Sequence, residues 1–351
     1  MPGKPPGPLG AFGGRRPSVL SAIGLGLVGL VVIWLIGNFV QEPTSFTNVF
    51  FIGLTNGAVY GLVALGYTIV YGILQLINFA HGDIFALSGL VAWTVLFTIF
   101  DVSGATSTPV SILAIFAALA LTMPFFAFIN ATIERVAYRP LRRAPRLAPL
   151  ITAVGVSFIV QNVSLYFYGV GFVSASELLP RTPVFEVGGV SYGWNKAIVL
   201  LITIPTLIVL SWFVRQTRQG KGMRAVAQDQ EASAMMGIDV NRTISFTFML
   251  AGSLAGAAGL LYALYFTNVT FLTGFRVGLI AFTAAVLGGI GNLPGAVLGA
   301  LLIGLVEAFV NGLRWHSPGS DWTQSVIFAI LILILVFRPE GILGERTPEG
   351  G

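Results

Sequence analysis

Cysteine is absent from all 351 residues, which excludes disulfides and thiolate metal sites. Histidine is nearly absent: His81 and His316 stand far apart, too few ligands for a zinc centre. Charge is also scarce. Only 9% of residues are charged, against about 25% in an average soluble domain. So few charges cannot supply a water-facing surface for a chain of this length, which implies a lipid-facing one. No G-x-x-x-x-G-K-[ST] phosphate loop occurs, so the chain is not expected to hydrolyse ATP itself. Serine, histidine and aspartate do not gather into a nucleophilic constellation, which leaves an enzyme reading without residues.

What the chain has instead is apolar length. It is 55% hydrophobic and carries 43 glycines, and small residues let membrane helices approach closely. A spanning helix needs about 20 mostly apolar residues. Such runs occur near 19–40, 46–72, 84–100, 109–131, 147–170, 196–214 and 243–266, and a last one runs from Trp322 to Phe337. Residues 276–311 make two shorter spans, interrupted by Gly288-Gly289-Ile290-Gly291-Asn292-Leu293-Pro294-Gly295. The expected fold is all-α: a polytopic transmembrane helical bundle of about eight to ten membrane segments with short broken helices. Ten cross if both short spans go through; eight cross, plus a re-entrant pair, if they do not.

Basic residues set the orientation. With the N-terminus inside, the inside loops hold Lys4, Arg15, Arg16, Arg135, Arg139, Arg142, Arg143, Arg146, Arg215, Arg218, Lys221, Arg224, Arg242, Arg338 and Arg346. Only Arg181, Lys196, Arg276 and Arg314 fall outside. Both termini are therefore placed in the cytoplasm. The net charge of +5 then reports orientation and not nucleic-acid binding, because the cations form no basic face. Residues 1–17, rich in glycine and proline, are expected to be a disordered cytoplasmic N-terminus. Arg15 and Arg16 precede an apolar run to Val40 with no small-residue cleavage site, which reads as an uncleaved anchor. Residues 18–345 form the membrane domain and 346–351 a cytoplasmic tail.

The cytoplasmic loop 215–242 is the most informative segment. Ala, Met and Gln after Gly222 favour helix. Asp229 has the chemistry of an N-cap, Glu231 suits the positive helix end, and Gly237 stands where a left-handed residue stops a helix. The result is a helix of about two turns, too short to be stable alone in water. It presents Met235, Met236 and Ile238 as adaptable apolar contacts, which suits docking into a partner's groove. The bland alternative is a connector whose apolar residues tuck under the membrane domain.

Polar groups at membrane depth are the other candidates. Glu307 either lines a pathway, pairs across a subunit interface, or snorkels toward the outer face near Asn311. Asn78, His81 and Asp83 interrupt the apolar pattern between two spans. Asp83 either caps the next helix or belongs to a broken-helix element lining the pathway. Gly288, Gly289, Gly291, Asn292 and Pro294 mark a second break, with G-x-x-x-G spacings that serve close packing and an Asn-Pro start for a new helix. A break at membrane depth would need its freed backbone groups to face protein or a water-filled cavity. Thr55, Asn56, Gln161 and Asn162 suit interhelical hydrogen bonds.

Glu231-Ala232-Ser233, followed after three residues by Gly237-Ile238, is similar to the EAA loop of bacterial ABC importer permeases. Met223-Arg224-Ala225 through Gly237-Ile238 resembles the LivH-type permease of branched-chain amino acid importers, an inner membrane component of binding-protein-dependent transport systems. So do Leu54-Thr55-Asn56-Gly57-Ala58-Val59-Tyr60-Gly61, Tyr71-Gly72-Ile73-Leu74, Ile77-Asn78-Phe79-Ala80-His81-Gly82-Asp83 and the run Ala284 to Ala300. The resemblance covers roughly 46–345. It implies that Met223, Arg224, Asp229, Glu231, Ala232, Met235, Met236, Gly237 and Ile238 form a coupling loop driven by two cytoplasmic ATPase subunits. It further implies a related second permease, an external solute-binding protein, no cofactor of its own (ATP being bound by the partners) and a bacterial or archaeal plasma membrane. Branched-chain or other small apolar amino acids are the implied cargo, with urea or short amides as the alternative. A stand-alone channel or ion-coupled carrier is the competing class. It would call for intramembrane carboxylates to bind a coupling ion, and there are few.

Overall fold

A computed structural model describes residues 19–76, 78–142, 144–145, 147–174, 178–180, 182–338 and 340–344. The N-terminus 1–17 and the tail 346–351 lie outside the described residues. In chain order the helices are α1 (Val19–Gln41), α2 (Pro43–Leu74), α3 (Ala80–Thr94), α4 (Thr108–Ile133), α5 (Leu147–Tyr168), α6 (Trp194–Gln216), α7 (Arg218–Gln228), α8 (Gln230–Met235), α9 (Val240–Phe266), α10 (Thr273–Gly288), α11 (Leu293–Gly312) and α12 (Thr323–Phe337). A π-helical turn, Val95–Ile99, extends α3; another, Glu134–Tyr138, extends α4. Among the described residues, eight helices are long and apolar enough to cross a membrane, and Val28–Gln41 and Thr273–Gly288 are shorter apolar helices. That is the eight-to-ten-segment α-helical bundle expected.

The two ends segregate as the basic residues require. Arg142 Nη1 donates to Asn241 Oδ1 at 2.7 Å, joining two loops both placed inside. At the opposite end, Arg314 meets Glu42 at 3.5 Å and Ser191 N donates to Asn48 Oδ1 at 3.3 Å. Here the chain forms a hairpin, Pro183–Val187 against Val190–Gly193, that the sequence reading did not anticipate. Gly188 and Gly189 have φ of 59° and 81°, the left-handed pair that a tight two-residue hairpin turn needs.

The core is built from α2, α3, α9 and α10, with α4 against α9 and α11 against α2. Tyr60, Phe85, Phe126 and Phe248 are fully buried there. Peripheral helices turn large apolar side chains outward, among them Val28, Ile159, Ile208 and Ile332. Such a surface is unfavourable in water and neutral in lipid. Glycine sets the closest approach. A Cβ on Gly57 would lie 2.7 Å from Leu301 Cα, and one on Gly304 would lie 2.2 Å from Gly57 N. The α2 and α11 backbones therefore touch, which places the polar groups of one helix beside those of the other.

Candidate functional site

The short cytoplasmic helix forms as its local sequence demands. Asp229 Oδ1 accepts from Glu231 N at 2.8 Å and Ala232 N at 2.9 Å, capping α8. At the other end, Gly237 N donates to Ala234 O and Ile238 N to Ser233 O, both at 3.0 Å. Gly237 has a φ of +82°. These two bonds are the paired 5→2 and 6→1 closure of a left-handed helix stop. Met235 and Met236 are each 82% exposed, so the helix carries an exposed apolar tip.

Of the residues assigned to the coupling surface, Met223 and Ile238 are turned inward, and Arg224, though exposed, uses its guanidinium on the bundle. Met223 is buried with Gly220 and Val226 on the inner stripe of α7, three residues apart on one helix face. Arg224 Nη1 donates to Val214 O at 2.8 Å and Arg215 O at 3.2 Å, satisfying the last carbonyls of α6. Ile238 is half-buried, with its side chain turned toward Gly222. The exposed residues of this segment include Arg224, Asp229, Glu231, Met235, Met236 and Gly237.

Gly237 offers a test of this capped helix. No atom lies within 4 Å of where its Cβ would be, so a substitution acts through the backbone alone. Gly237→Val should destabilise the left-handed stop by about 1–2 kcal/mol while leaving insertion intact. Gly237→Asn should be mild, since asparagine tolerates that conformation. Measured as ATP-coupled uptake and retention of ATPase subunits, the valine variant should lose coupling. Wild-type coupling in Gly237→Val would reject the capped-helix reading.

The helix α8 is tied to the bundle by hydrogen bonds the sequence did not reveal. Gln230 Nε2 donates to Ile73 O at 3.3 Å, in the last turn of α2. Just beyond that turn, Tyr138 OH donates to Asn78 Oδ1 at 2.7 Å, linking the α2–α3 break to the π-turn after α4. Glu134 opens that turn and is fully buried. It accepts hydrogen bonds from Arg142 and from Ser245 on α9. Burial pushes the Arg142 guanidinium pKa down, and the adjacent Glu134 carboxylate opposes that shift. Asp239, which caps α9 by accepting from Arg242 N at 3.0 Å, leads back to α8. The helix α8, the α2 end, the α2–α3 break, the α4 end and the α9 start thus form a closed ring of contacts. In the sequence Arg142 reads only as an orientation signal. A lone acid closing an apolar run, Glu134 eight residues before Arg142, was the one available hint.

Asp83 is not the cap of α3. The helix starts at Ala80, Phe79 occupies the cap position without a side-chain bond, and Asp83 lies in the first turn. Its carboxylate accepts from Ser157 and, at 3.0 Å, from Gln161, both on α5. His81 is fully buried, its ring edge-on to Tyr67 at 4.9 Å between centroids. A Cβ on Gly66 would strike the His81 ring, so α3 begins about 12 Å short of the end of α2.

Glu307 is 4% exposed and does not snorkel. Its Oε2 accepts from Tyr60 OH at 2.6 Å and Asn56 Nδ2 at 3.1 Å, both on α2. Asn311 instead takes a 2.5 Å bond from Thr323. Of the other polar groups, Thr55 shares a 3.2 Å bond with Tyr192, whereas Asn162 donates to Phe158 O in its own helix and makes no interhelical bond.

Backbone groups freed at the Gly288–Pro294 break are met by the chain itself. Ile342 N donates to Leu287 O at 2.9 Å and Leu343 N to Gly288 O at 3.0 Å. Gly289 and Gly291 turn with positive φ between the two helices. Asn292 caps α11 through Gly295 N at 3.0 Å and donates to Leu343 O at 2.7 Å, with Pro294 in the first turn. The chain's own segment 341–344 thus takes the place of water. Among the described residues no group of three or more His, Asp or Glu is placed to hold a metal ion.

These features define a multi-pass α-helical membrane protein with a short capped helix, α8, joined to its core. Residues 49–335 match the family described as "Branched-chain amino acid transport system / permease component", and the chain belongs to that family. It is 39% identical over 300 residues to the high-affinity branched-chain amino acid transport system permease protein BraD of Pseudomonas aeruginosa, covering 85% of this chain and 95% of that one. It is 34% identical over 312 residues to LivH of Escherichia coli, of the same description, covering 88% and 99%. An archaeal relative, the probable branched-chain amino acid transport permease protein LivH of Methanocaldococcus jannaschii, is 27% identical over 288 residues, covering 81% and 88%.

Proposed function

We propose that this chain is a membrane-spanning permease subunit of an ABC importer that carries branched-chain amino acids across a bacterial or archaeal plasma membrane. The observation that carries the reading is α8. It is capped at both ends, turns Met235 and Met236 to the cytoplasm, and holds the last turn of α2 through Gln230. With no phosphate loop of its own, the chain borrows work from two cytoplasmic ATPase subunits docked on that apolar tip. Displacement of α8 moves the end of α2 and, through Asn78 and Tyr138, the start of α3. That is where buried polar groups interrupt the hydrocarbon-facing pattern. A second, related permease completes the pathway, and an external binding protein delivers the cargo. The names of the relatives support leucine, isoleucine and valine as cargo.

The test is uptake of radiolabelled leucine by proteoliposomes containing the complex purified with its ATPase and binding-protein subunits. Uptake should require ATP and binding protein and be competed by valine and isoleucine but not by urea. Leucine transport by this chain alone, without ATPase subunits, would overturn the reading.

A further inference from the structure

We infer that the cleft between α7 and the start of α9 binds the headgroup of an anionic phospholipid. The inference goes beyond the function proposed above and needs only that this chain spans a bilayer. A hollow of about 530 Å³ lies in the cleft. One wall is α7, through Arg218, Lys221, Gly222 and Ala225, spaced i, i+3, i+4 and i+7 along one helix face. The other wall is the first turns of α9, through Arg242, Thr243 and Phe246. Buried Met223 and half-buried Ile238 add an apolar lining.

Charge identifies the ligand as an anion. Arg218, Lys221 and Arg242 are all exposed at this hollow, and no carboxylate lines it. Among the described residues, none of the three has an ion pair or a side-chain hydrogen bond. The acid nearest to Arg242 in sequence, Asp239, is occupied in capping α9. Arg218 and Lys221 stand one turn apart on the same face, where like charges repel unless an anion lies between them. Other hollows lack this combination. The one between α6 and α11 has Arg215 as its single cation, the one on α5 has none, and the one beside Trp315 pairs Arg314 with Glu42.

Depth makes the anion a lipid headgroup. The spanning helix α6 ends at Gln216 and the spanning helix α9 begins at Val240, so the hollow lies where hydrocarbon gives way to water. Exposed Trp212, one turn before the end of α6, is the residue type that settles at this level. From Arg242, Phe246 and exposed Met249 follow at i+4 and i+7, an apolar track running from the cations into the span. A free phosphate has no contact to make with that track. A phospholipid presents its phosphate to the three cations and lays an acyl chain along Phe246 and Met249, and basic pockets at helix ends hold acidic headgroups in this way. Bound there, the headgroup bridges α7 to α9 and braces the loop that carries α8.

The experiment mixes the full chain, purified in detergent, with equal amounts of dioleoyl phosphatidylglycerol and dioleoyl phosphatidylcholine, and reads the retained lipid by native mass spectrometry. Wild type should retain phosphatidylglycerol. Each cation facing an acidic headgroup strengthens binding about fivefold, so Arg218→Gln, Lys221→Gln and Arg242→Gln combined should weaken retention about a hundredfold. Arg215→Gln, which removes a charge from the neighbouring hollow, should retain lipid as wild type does. Gly222→Leu tests the cleft with every charge in place. A Cβ there meets Ile238 Cγ2 at 3.9 Å and Thr243 Oγ1 at 4.0 Å, so the longer side chain fills the hollow without a clash and should displace the lipid.

Equal retention of the two lipids would overturn the inference, as would undiminished binding in the triple variant. Full binding by Gly222→Leu would mean attraction to a charged patch without a site, and displacement of the lipid by inorganic phosphate would mean a free-anion site; either result also overturns it. The Gly222→Leu arm stands whether or not the triple variant folds. Transport is not measured, so a failure here leaves the proposed function standing.

Discussion

A Gly57→Val chain is expected to insert into the membrane with its helices intact and then fail to hold its native packing. The added Cβ would sit 2.7 Å from Leu301 Cα and 2.9 Å from Ala300 O. Both are backbone atoms of α11 and cannot rotate away. Overpacking a core costs about 1–3 kcal/mol when side chains can adjust, and a backbone contact belongs at or above the upper end of that range. Separating α2 from α11 would also pull Asn56 and Tyr60, which flank Gly57, away from Glu307, leaving a carboxylate inside the bundle without its donors. Far-UV circular dichroism in detergent should keep its helical signal while the cooperative melt moves to much lower temperature. Gly57→Ala should fall between valine and wild type. A valine variant that melts like wild type would mean that these helices do not touch.

Removing Glu134 should have the second large effect, and on two readouts. Glu134→Ala leaves Arg142 (side chain 13% exposed) without its carboxylate at the cytoplasmic end of the bundle. Breaking one partner of a buried pair costs about 3–5 kcal/mol, and the partial access of Arg142 to water argues for the lower end. The same change frees Ser245 and loosens the ring through which α8 reaches the α2–α3 break. The expected outcome is a lowered melting temperature together with ATP hydrolysis no longer coupled to uptake. Glu134→Leu combined with Arg142→Leu distinguishes the two losses. Melting should largely recover, since no charge is left unpaired, while coupling stays impaired because the joint to Asn241 is missing. Full recovery of coupling in the double variant would reduce Glu134 and Arg142 to a structural pair.

The contrast between α8 and the Asp83 site explains what could be read in advance. A cap is a bond between near neighbours. Asp229 serves Glu231 and Ala232, and Gly237 closes on Ala234, so residue type and spacing suffice. The spans were equally legible, because lipid imposes a length of apolar sequence on each helix independently. The outer hairpin is hard to read in sequence although Gly188-Gly189 carries its turn signal, since strands of five and four residues are easily lost between spans.

Composition and local pattern alone determined that this chain is a multi-pass helical membrane protein and where a short helix is capped at both ends. Only the packed structure decided which helix each buried polar group answers to. Glu307 finds Asn56 at a separation of 251 residues, and Asp83 finds Ser157 at 74. Such pairings depend on which helices come to lie side by side, and glycine contacts such as Gly57 with Gly304 control that. Period and propensity report one helix at a time, whereas a partner is a property of two.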